Sequence, residues 1–190
     1  MTTAKRAWIL PALLACFLTA AACGQQMIER GPFGKPVKVL DETQRWSIPI
    51  LVYEDKDIEL YIPDVTTSEW IQSHAGTFND KGQYTLSLFA FYKTEHICRK
   101  NQIDSGLGDQ NHLDACAGIG YKSYLITVNT RQKNITVLSS AWVDKAGQIY
   151  PELPPQKPGT RPFNDLDQNL RDALKKTTEI VAKEIEALNP

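Results

Sequence analysis

A chain of 190 residues with 21 Lys and Arg against 22 Asp and Glu is close to electrical neutrality. That balance weighs against the clustered basic surface that nucleic acid or an anionic membrane face demands, so no nucleic-acid partner is expected. The length suits one domain with a substantial core and is hardly enough for two.

Lys5 and Arg6 precede an apolar or small run over residues 7–22, interrupted only by Thr19. Its sixteen residues fall short of the roughly 20 that a spanning helix needs. Ala20-Ala21-Ala22 supplies the small residues at which a signal peptidase seats the backbone, so 1–22 reads as a signal peptide rather than an uncleaved anchor. Ala20-Ala21-Ala22-Cys23-Gly24 resembles the lipobox of bacterial lipoprotein precursors, whose cysteine is diacylated before cleavage and becomes the first mature residue. Ala20 departs from the Leu usual at that place and also suits ordinary Ala-x-Ala cleavage. A competing match, Leu13-Leu14-Ala15-Cys16, would leave too short an apolar run and put Phe17 and Leu18 just past the cut. The resemblance implies a lipid on Cys23 and, with Gly24 following it, an outer-membrane lipoprotein facing the periplasm. Its acyl chains would exceed the two signals that stable anchoring takes.

Loss of residues 1–22 removes Lys5 and Arg6 and no acid, which takes the net charge from −1 to −3. Of four cysteines, Cys16 leaves with the signal and Cys23 carries the lipid. Cys98 and Cys116 remain, an even pair in an oxidising compartment, and they are expected to form a disulfide.

Residues 23–35, with Gln25, Gln26, Gly31, Pro32 and Gly34, read as a flexible tether ahead of a single domain over 36–190. Residues 48–53 and 58–62 are short strands around the polar turn Glu54-Asp55-Lys56-Asp57, and Pro49 places the first of them at a sheet edge. Thr66-Thr67-Ser68-Glu69 fits a capping box, and the helix it opens is expected to stop after about two turns at His74-Ala75-Gly76. Asn79-Asp80-Lys81-Gly82 then turns into the clearest strand, 84–92, where Tyr84, Leu86, Leu88, Ala90 and Tyr92 share a face. Phe89 and Phe91 break the polarity of the other face, which is expected to be covered at that end.

Beyond the cysteine loop, 123–129, 134–143 and 148–150 alternate and are joined by short turns, an antiparallel meander. Five prolines between Pro151 and Pro162 predict an extended crossing segment. A helix capped by Asn164 or Asp165 follows, its stripe running from Leu166 through Leu170, Leu174, Thr177 and Val181 to Ile185 and Leu188. The fold class is α+β: an antiparallel sheet of about five or six strands against a long C-terminal helix and one short helix.

The chain holds no Gly-x-Ser-x-Gly, His-Glu-x-x-His or Walker loop, and Gly106-Leu107-Gly108 and Gly118-Ile119-Gly120 read as turns. His96-x-Cys98 and His112-x3-Cys116 have the look of a zinc clip, but zinc thiolates must stay reduced, and the disulfide is preferred. Asp104, Ser105, Asp109, Asn111 and Asp114 gather oxygen donors without EF-hand spacing and read as a solvated loop. No cofactor or metal is expected, and the three histidines His74, His96 and His112 suggest no particular catalytic partner.

The function expected is therefore non-enzymatic protein binding, as in an inhibitor or immunity protein acting on an envelope enzyme or toxin. The alternative is an outer-membrane accessory or assembly lipoprotein, or a small-ligand carrier. Residues 99–115, tied at the base by the cysteine pair, would present Asp104, Asp109 and Asp114 to a basic partner. Trp142, Phe89 and Tyr150 are candidate aromatic anchors. If Cys23 is acylated, Cys23→Ser moves the protein from the detergent phase to the aqueous phase or halts its processing. Unchanged partitioning of that variant would remove the lipid.

Overall fold

In the computed structural model, which describes residues 28–30, 35–104, 116, 119–144, 149–151 and 159–188, the chain begins with five strands. They are β1 (Ile28–Arg30), β2 (Pro36–Leu40), β3 (Trp46–Ser47), β4 (Ile50–Glu54) and β5 (Ile58–Ile62). Next come α1 (Ser68–Lys81), β6 (Gln83–Tyr92), α2 (Glu95–Asp104), β7 (Ile119–Asn129), β8 (Asn134–Asp144) and β9 (Ile149–Pro151). β10 (Gly159–Pro162) leads through a 3-10 turn at Phe163–Asp165 into α3 (Gln168–Leu188). The described pairings are all antiparallel. One sheet follows the order β10-β8-β7-β6-β5-β4, with β9 beside β8, and a smaller one the order β1-β2-β3. The class is α+β.

The layers follow from β6. Tyr84, Leu86, Leu88 and Ala90 are buried on one of its faces, together with Leu60 and Ile62 of β5 and Ile126 and Val128 of β7. The helices cover this face. α1 brings Trp70 and Ile71, and α3 brings Ala173, Leu174, Thr177, Val181 and Ile185, the stripe expected from its period. Full burial of a side chain such as Val181 or Ile185 contributes about 1.5–3 kcal/mol. Two hydroxyls within this layer are accounted for: Thr177 Oγ1 donates to the Ala173 carbonyl, and Tyr84 OH pairs with Thr178 Oγ1 at 2.8 Å.

On the other face Phe89 and Phe91 are buried with Tyr61, Tyr121 and Val143, and the small sheet covers them with Ile28 and Val39. Ile28 and Val39 are direct partners in the β1–β2 register, so both project from the same side of that sheet. The expected tether over 23–35 is thereby corrected: residues 28–30 belong to the folded domain, because Ile28 fills a space that an apolar second face leaves open. Cys23 lies outside the described residues. Arg30 guanidinium donates to the Gly120 carbonyl and stacks over Phe91, and its burial lowers its pKa from the usual arginine value.

Several boundaries differ from those expected. The N-cap of α1 is Thr67, whose Oγ1 accepts from Trp70 N–H; Thr66 instead bonds Asp64. The helix continues past His74-Ala75-Gly76 to Lys81. A glycine inside an exposed helix costs only about 1 kcal/mol, and the extra turns let Phe78 pack beside Tyr84. The proline-rich crossing contains β10, which pairs with β8 from Asn134 to Val137; Pro162, lacking an N–H, sits at the end of that edge strand. β4, beginning just after Pro49, is the opposite edge, and Lys176 of α3 donates to its Leu51 carbonyl. A 3-10 turn replaces the expected cap at Asn164 or Asp165, and the last helix begins at Gln168. Among the described residues no helix is long and apolar enough to cross a membrane.

Gly82 ends α1 in the left-handed region (φ 66°), donating to the Phe78 carbonyl, while Thr130 of the β7–β8 turn donates to the Gly82 carbonyl. A Cβ at Gly82 would lie 2.7 Å from Arg131 Cγ and 2.8 Å from Thr130 Oγ1. Gly82→Ala therefore costs at least about 1–2 kcal/mol from backbone conformation alone. Thermal unfolding should show a melting temperature lower by about 2–4 °C for each of those kcal/mol.

Candidate functional site

Thr94 starts α2: its Oγ1 accepts from Ile97 N–H, and its carbonyl accepts from Cys98 N–H. Four residues into the helix, Cys98 is joined to Cys116 in a disulfide with Cα atoms 5.7 Å apart. Both cysteines are buried against Trp142 of β8 and Tyr92 of β6, whose rings lie 5.8 Å apart. Lys122 of β7 is buried beside them, its ammonium 4.5 Å from the Trp142 ring centre and 5.0 Å from that of Tyr124. This aromatic and cationic patch is the floor on which the bridge stands.

It also corrects the expected anchors. Trp142 and Phe89 are interior, one under the bridge and the other under the small sheet, and the Tyr150 side chain lies outside what is described. Helix α2 runs through Asp104, so the segment 99–115 starts as helix and not as loop. Over residues 95–100 the side away from Cys98 is exposed, with Glu95 paired to Arg99, which is why this stretch reads as a connection. Asp109, Asp114 and His112 lie outside the described residues. His96 is exposed on α2 rather than on a strand, about 200° around the helix from Cys98. With both thiols consumed in the bridge, the zinc clip has lost its sulphur ligands.

A second cluster was not visible from spacing. Between β2 and β3 the chain turns at residues 41–45. Asp41 is buried there, and its Oδ1 accepts from Thr43 N–H (2.8 Å), Thr43 Oγ1 (2.6 Å) and Arg45 N–H (2.9 Å). Gln44 takes the left-handed conformation that closes the turn. Burial opposes ionisation of Asp41, but those hydrogen bonds and the Arg45 guanidinium outweigh it and hold the carboxyl below its usual range. Arg45 also reaches across to Glu69 in the first turn of α1.

With the turn seated in this way, Glu42 points inward. Its side chain is 9 % exposed, and neither carboxylate oxygen has a hydrogen bond among the described residues. His74 Nε2 stands 3.8 Å from Glu42 Oε1. The imidazole is stacked on Trp70 at 4.0 Å, and its Nδ1 lies 2.9 Å from the Trp70 carbonyl. The Ser73 hydroxyl, 2.8 Å from Nδ1, gives its own hydrogen to the Trp70 carbonyl, and a carbonyl only accepts, so Nδ1 carries a hydrogen and Nε2 is the atom left to deal with Glu42. Burial raises the Glu42 carboxyl above the usual range, outweighing its own backbone amide, the nearby His74 and the Trp70 indole N–H, with Asp41 adding to the rise.

β3 follows at once, bringing Trp46 opposite Leu40 of β2. Trp46 is 48 % exposed and Ile48 68 %, the two most exposed large apolar side chains among the described residues. Asp41-Glu42-Thr43 is an Asx-turn pattern that could have signalled the turn. Nothing local signals that Glu42 faces α1, because that depends on where a helix thirty residues away comes to rest.

No protein-family model, curated protein or solved structure matches the chain.

The bridge spans 18 positions, and on the chain-entropy view closing such a loop contributes about 3 kcal/mol. Cys98→Ala is expected to lower the unfolding free energy by about that amount. The intact protein should react with no thiol reagent at either position until it is reduced. Rapid alkylation of both cysteines in the native, unreduced protein would contradict the pairing.

Proposed function

We propose that this protein is a lipid-anchored component of the bacterial envelope that works by binding another protein, as an inhibitor or immunity protein of an envelope-acting enzyme or toxin does. The observation that carries the reading is the Cys98–Cys116 bridge. A buried disulfide belongs to an oxidising compartment, in keeping with the signal-like N-terminus and the lipobox resemblance at Cys23. The bridge also closes a loop of chain that carries Asp104 at the end of α2 and Asp109 and Asp114 beyond it. Restraint before binding lowers the ordering cost of recognition, and the acidic side chains would speed encounter with a basic partner. Trp46 and Ile48 replace Trp142 and Phe89 as apolar anchors, since an anchor must be exposed in the free protein to be buried in the complex.

The test is affinity capture from envelope extract with the intact protein as bait, followed by assay of whatever enzyme is retained. The expected result is a basic enzyme or toxin whose activity falls as the bait is added. Replacing Asp104, Asp109 and Asp114 together by Asn should then slow association at low salt and leave the melting temperature unchanged within about 1 °C. A partner bound by this triple variant at the wild-type rate would place the docking surface elsewhere. Retention of a membrane-assembly complex with no enzyme to inhibit would favour an accessory lipoprotein instead.

A further inference from the structure

We propose that Glu42 and His74 act as a proton-operated latch that fastens the β2–β3 turn, and with it β3, onto α1. This inference is independent of the lipid and of any partner, and it starts from an imbalance in the core.

Glu42 is an acid nine-tenths withdrawn from water whose oxygens have no hydrogen bond among the described residues. A carboxylate buried in that state is strongly disfavoured if it is ionised and alone. The group positioned to relieve it is His74, whose ring is fixed on two sides. Trp70 stacks on one ring face, and the Trp70 carbonyl takes the Nδ1 hydrogen, so the free nitrogen sits beside Glu42. One proton satisfies the pair in either of two arrangements, neutral acid with neutral imidazole or carboxylate with imidazolium. The two are a single macroscopic state. Remove that proton and the carboxylate faces an imidazole lone pair inside the protein, with the Trp70 indole N–H too little to offset its burial.

The remaining charges near Glu42 are already engaged. On its own turn, Asp41 is held ionised by Thr43 and Arg45, and Arg45 pairs with Glu69 of α1. Ahead of α1, Asp64 accepts from Thr66. The internal geometry of the turn therefore belongs to Asp41, while its attachment to α1 depends on the proton shared by Glu42 and His74. β3 is the element released when that attachment fails. It has two residues, and it is secured laterally by its pairing with β2 and by the bond from Asp64 N–H to Ser47 Oγ, 3.1 Å.

The direction with pH follows from the raised Glu42 carboxyl. Below the ordinary glutamate range Glu42 is neutral whether the turn is docked or open, and its carboxyl adds no burial penalty to docking. As pH climbs through the raised value, the open form gives up its proton more readily than the docked one, and docking weakens. The latch is closed on the acid side and loosens toward the alkaline side, carrying Trp46 and Ile48 with it.

Amide hydrogen exchange on the intact protein without any partner tests this, with exchange rates corrected for the intrinsic effect of pH. The Asp64 amide, which needs β3 in place, should lose protection as pH rises, about tenfold for each unit by which Glu42 is raised. The Thr43 amide, bonded within the turn to Asp41, and the Ile126 amide in the main sheet should keep theirs. Glu42→Gln, whose amide can donate to His74 Nε2 and accept from Trp70 Nε1, should hold the Asp64 amide protected at every pH. Carbon-13 titration of the wild-type Glu42 carboxyl supplies a check that survives a poorly folding variant: it should titrate in the same step as the Asp64 amide. A Glu42 carboxyl titrating in the ordinary range, Asp64 protection independent of pH in the wild type, or an unchanged profile in Glu42→Gln would each overturn the latch. None of these outcomes depends on whether the protein is an inhibitor.

Discussion

A strand that is apolar on both faces has to be covered twice, and β6 imposes that condition on everything around it. Leu86 and Leu88 require a helical layer, while Phe89 and Phe91 require a second layer on the opposite side, a few residues further along. A single sheet with one helix could not meet both needs. The small sheet exists because of the second: β1 and β2 have little to offer each other beyond Ile28 and Val39, and both of those side chains are spent on the aromatic cluster. Isolated, so short a set of strands would be marginal at best. Docked on Phe89, Phe91 and Tyr121, it becomes part of the domain.

Docking the small sheet creates a polar problem at its far end. The β2–β3 turn passes close to α1, and the side chains of Asp41 and Glu42 are withdrawn from water there. Asp41 solves its own burial by gathering three donors. Glu42, next along, has no comparable set and is left with a histidine at ion-pair distance. Neighbouring carboxyls in one turn are thus pushed in opposite directions, Asp41 downward by hydrogen bonds and Glu42 upward by burial. Groups separated in this way respond to different pH ranges, so one can keep the turn's shape while the other governs its attachment.

The features legible in the sequence were those with a repeat. The alternation of Tyr84 to Tyr92, the meander through β7 and β8, and the stripe from Leu174 to Ile185 each involve several residues that must agree, and the structure places them as their periods require. The edge position of the strand after Pro49 was legible for a chemical reason, the missing N–H. Features resting on one or two residues were not. Ile28 looks like a stray apolar residue in a tether until the aromatic cluster it covers is known. Gly76 resembles a helix stop, yet the stop is Gly82, because only there do the Thr130 and Arg131 contacts reward a left-handed residue. Trp142 reads as a surface aromatic on an alternating strand, and it is buried among Cys98, Cys116, Tyr92 and Lys122, which no local pattern brings together. The Glu42–His74 pair joins a turn to a helix through tertiary packing alone, so no local pattern could have announced it.

α2 shows where the domain's stability is concentrated and where it is not. Over residues 95–100 its one fully buried side chain is Cys98, and the rest are exposed or half-exposed. Such a helix contributes little apolar burial of its own, and a ten-residue helix is too short to persist unaided. What holds it against Tyr92 and Trp142 is therefore the covalent tie to Cys116. The helix and sheet layers around Leu86, Ile126 and Val181 share no residue with that cluster apart from the flanking Tyr92. Loss of the bridge should consequently be felt first as release of α2 and of the acidic chain leading from it, with the central core intact. A domain built this way separates the part that must be stable from the part that is presented, and redox conditions act on the second without dismantling the first.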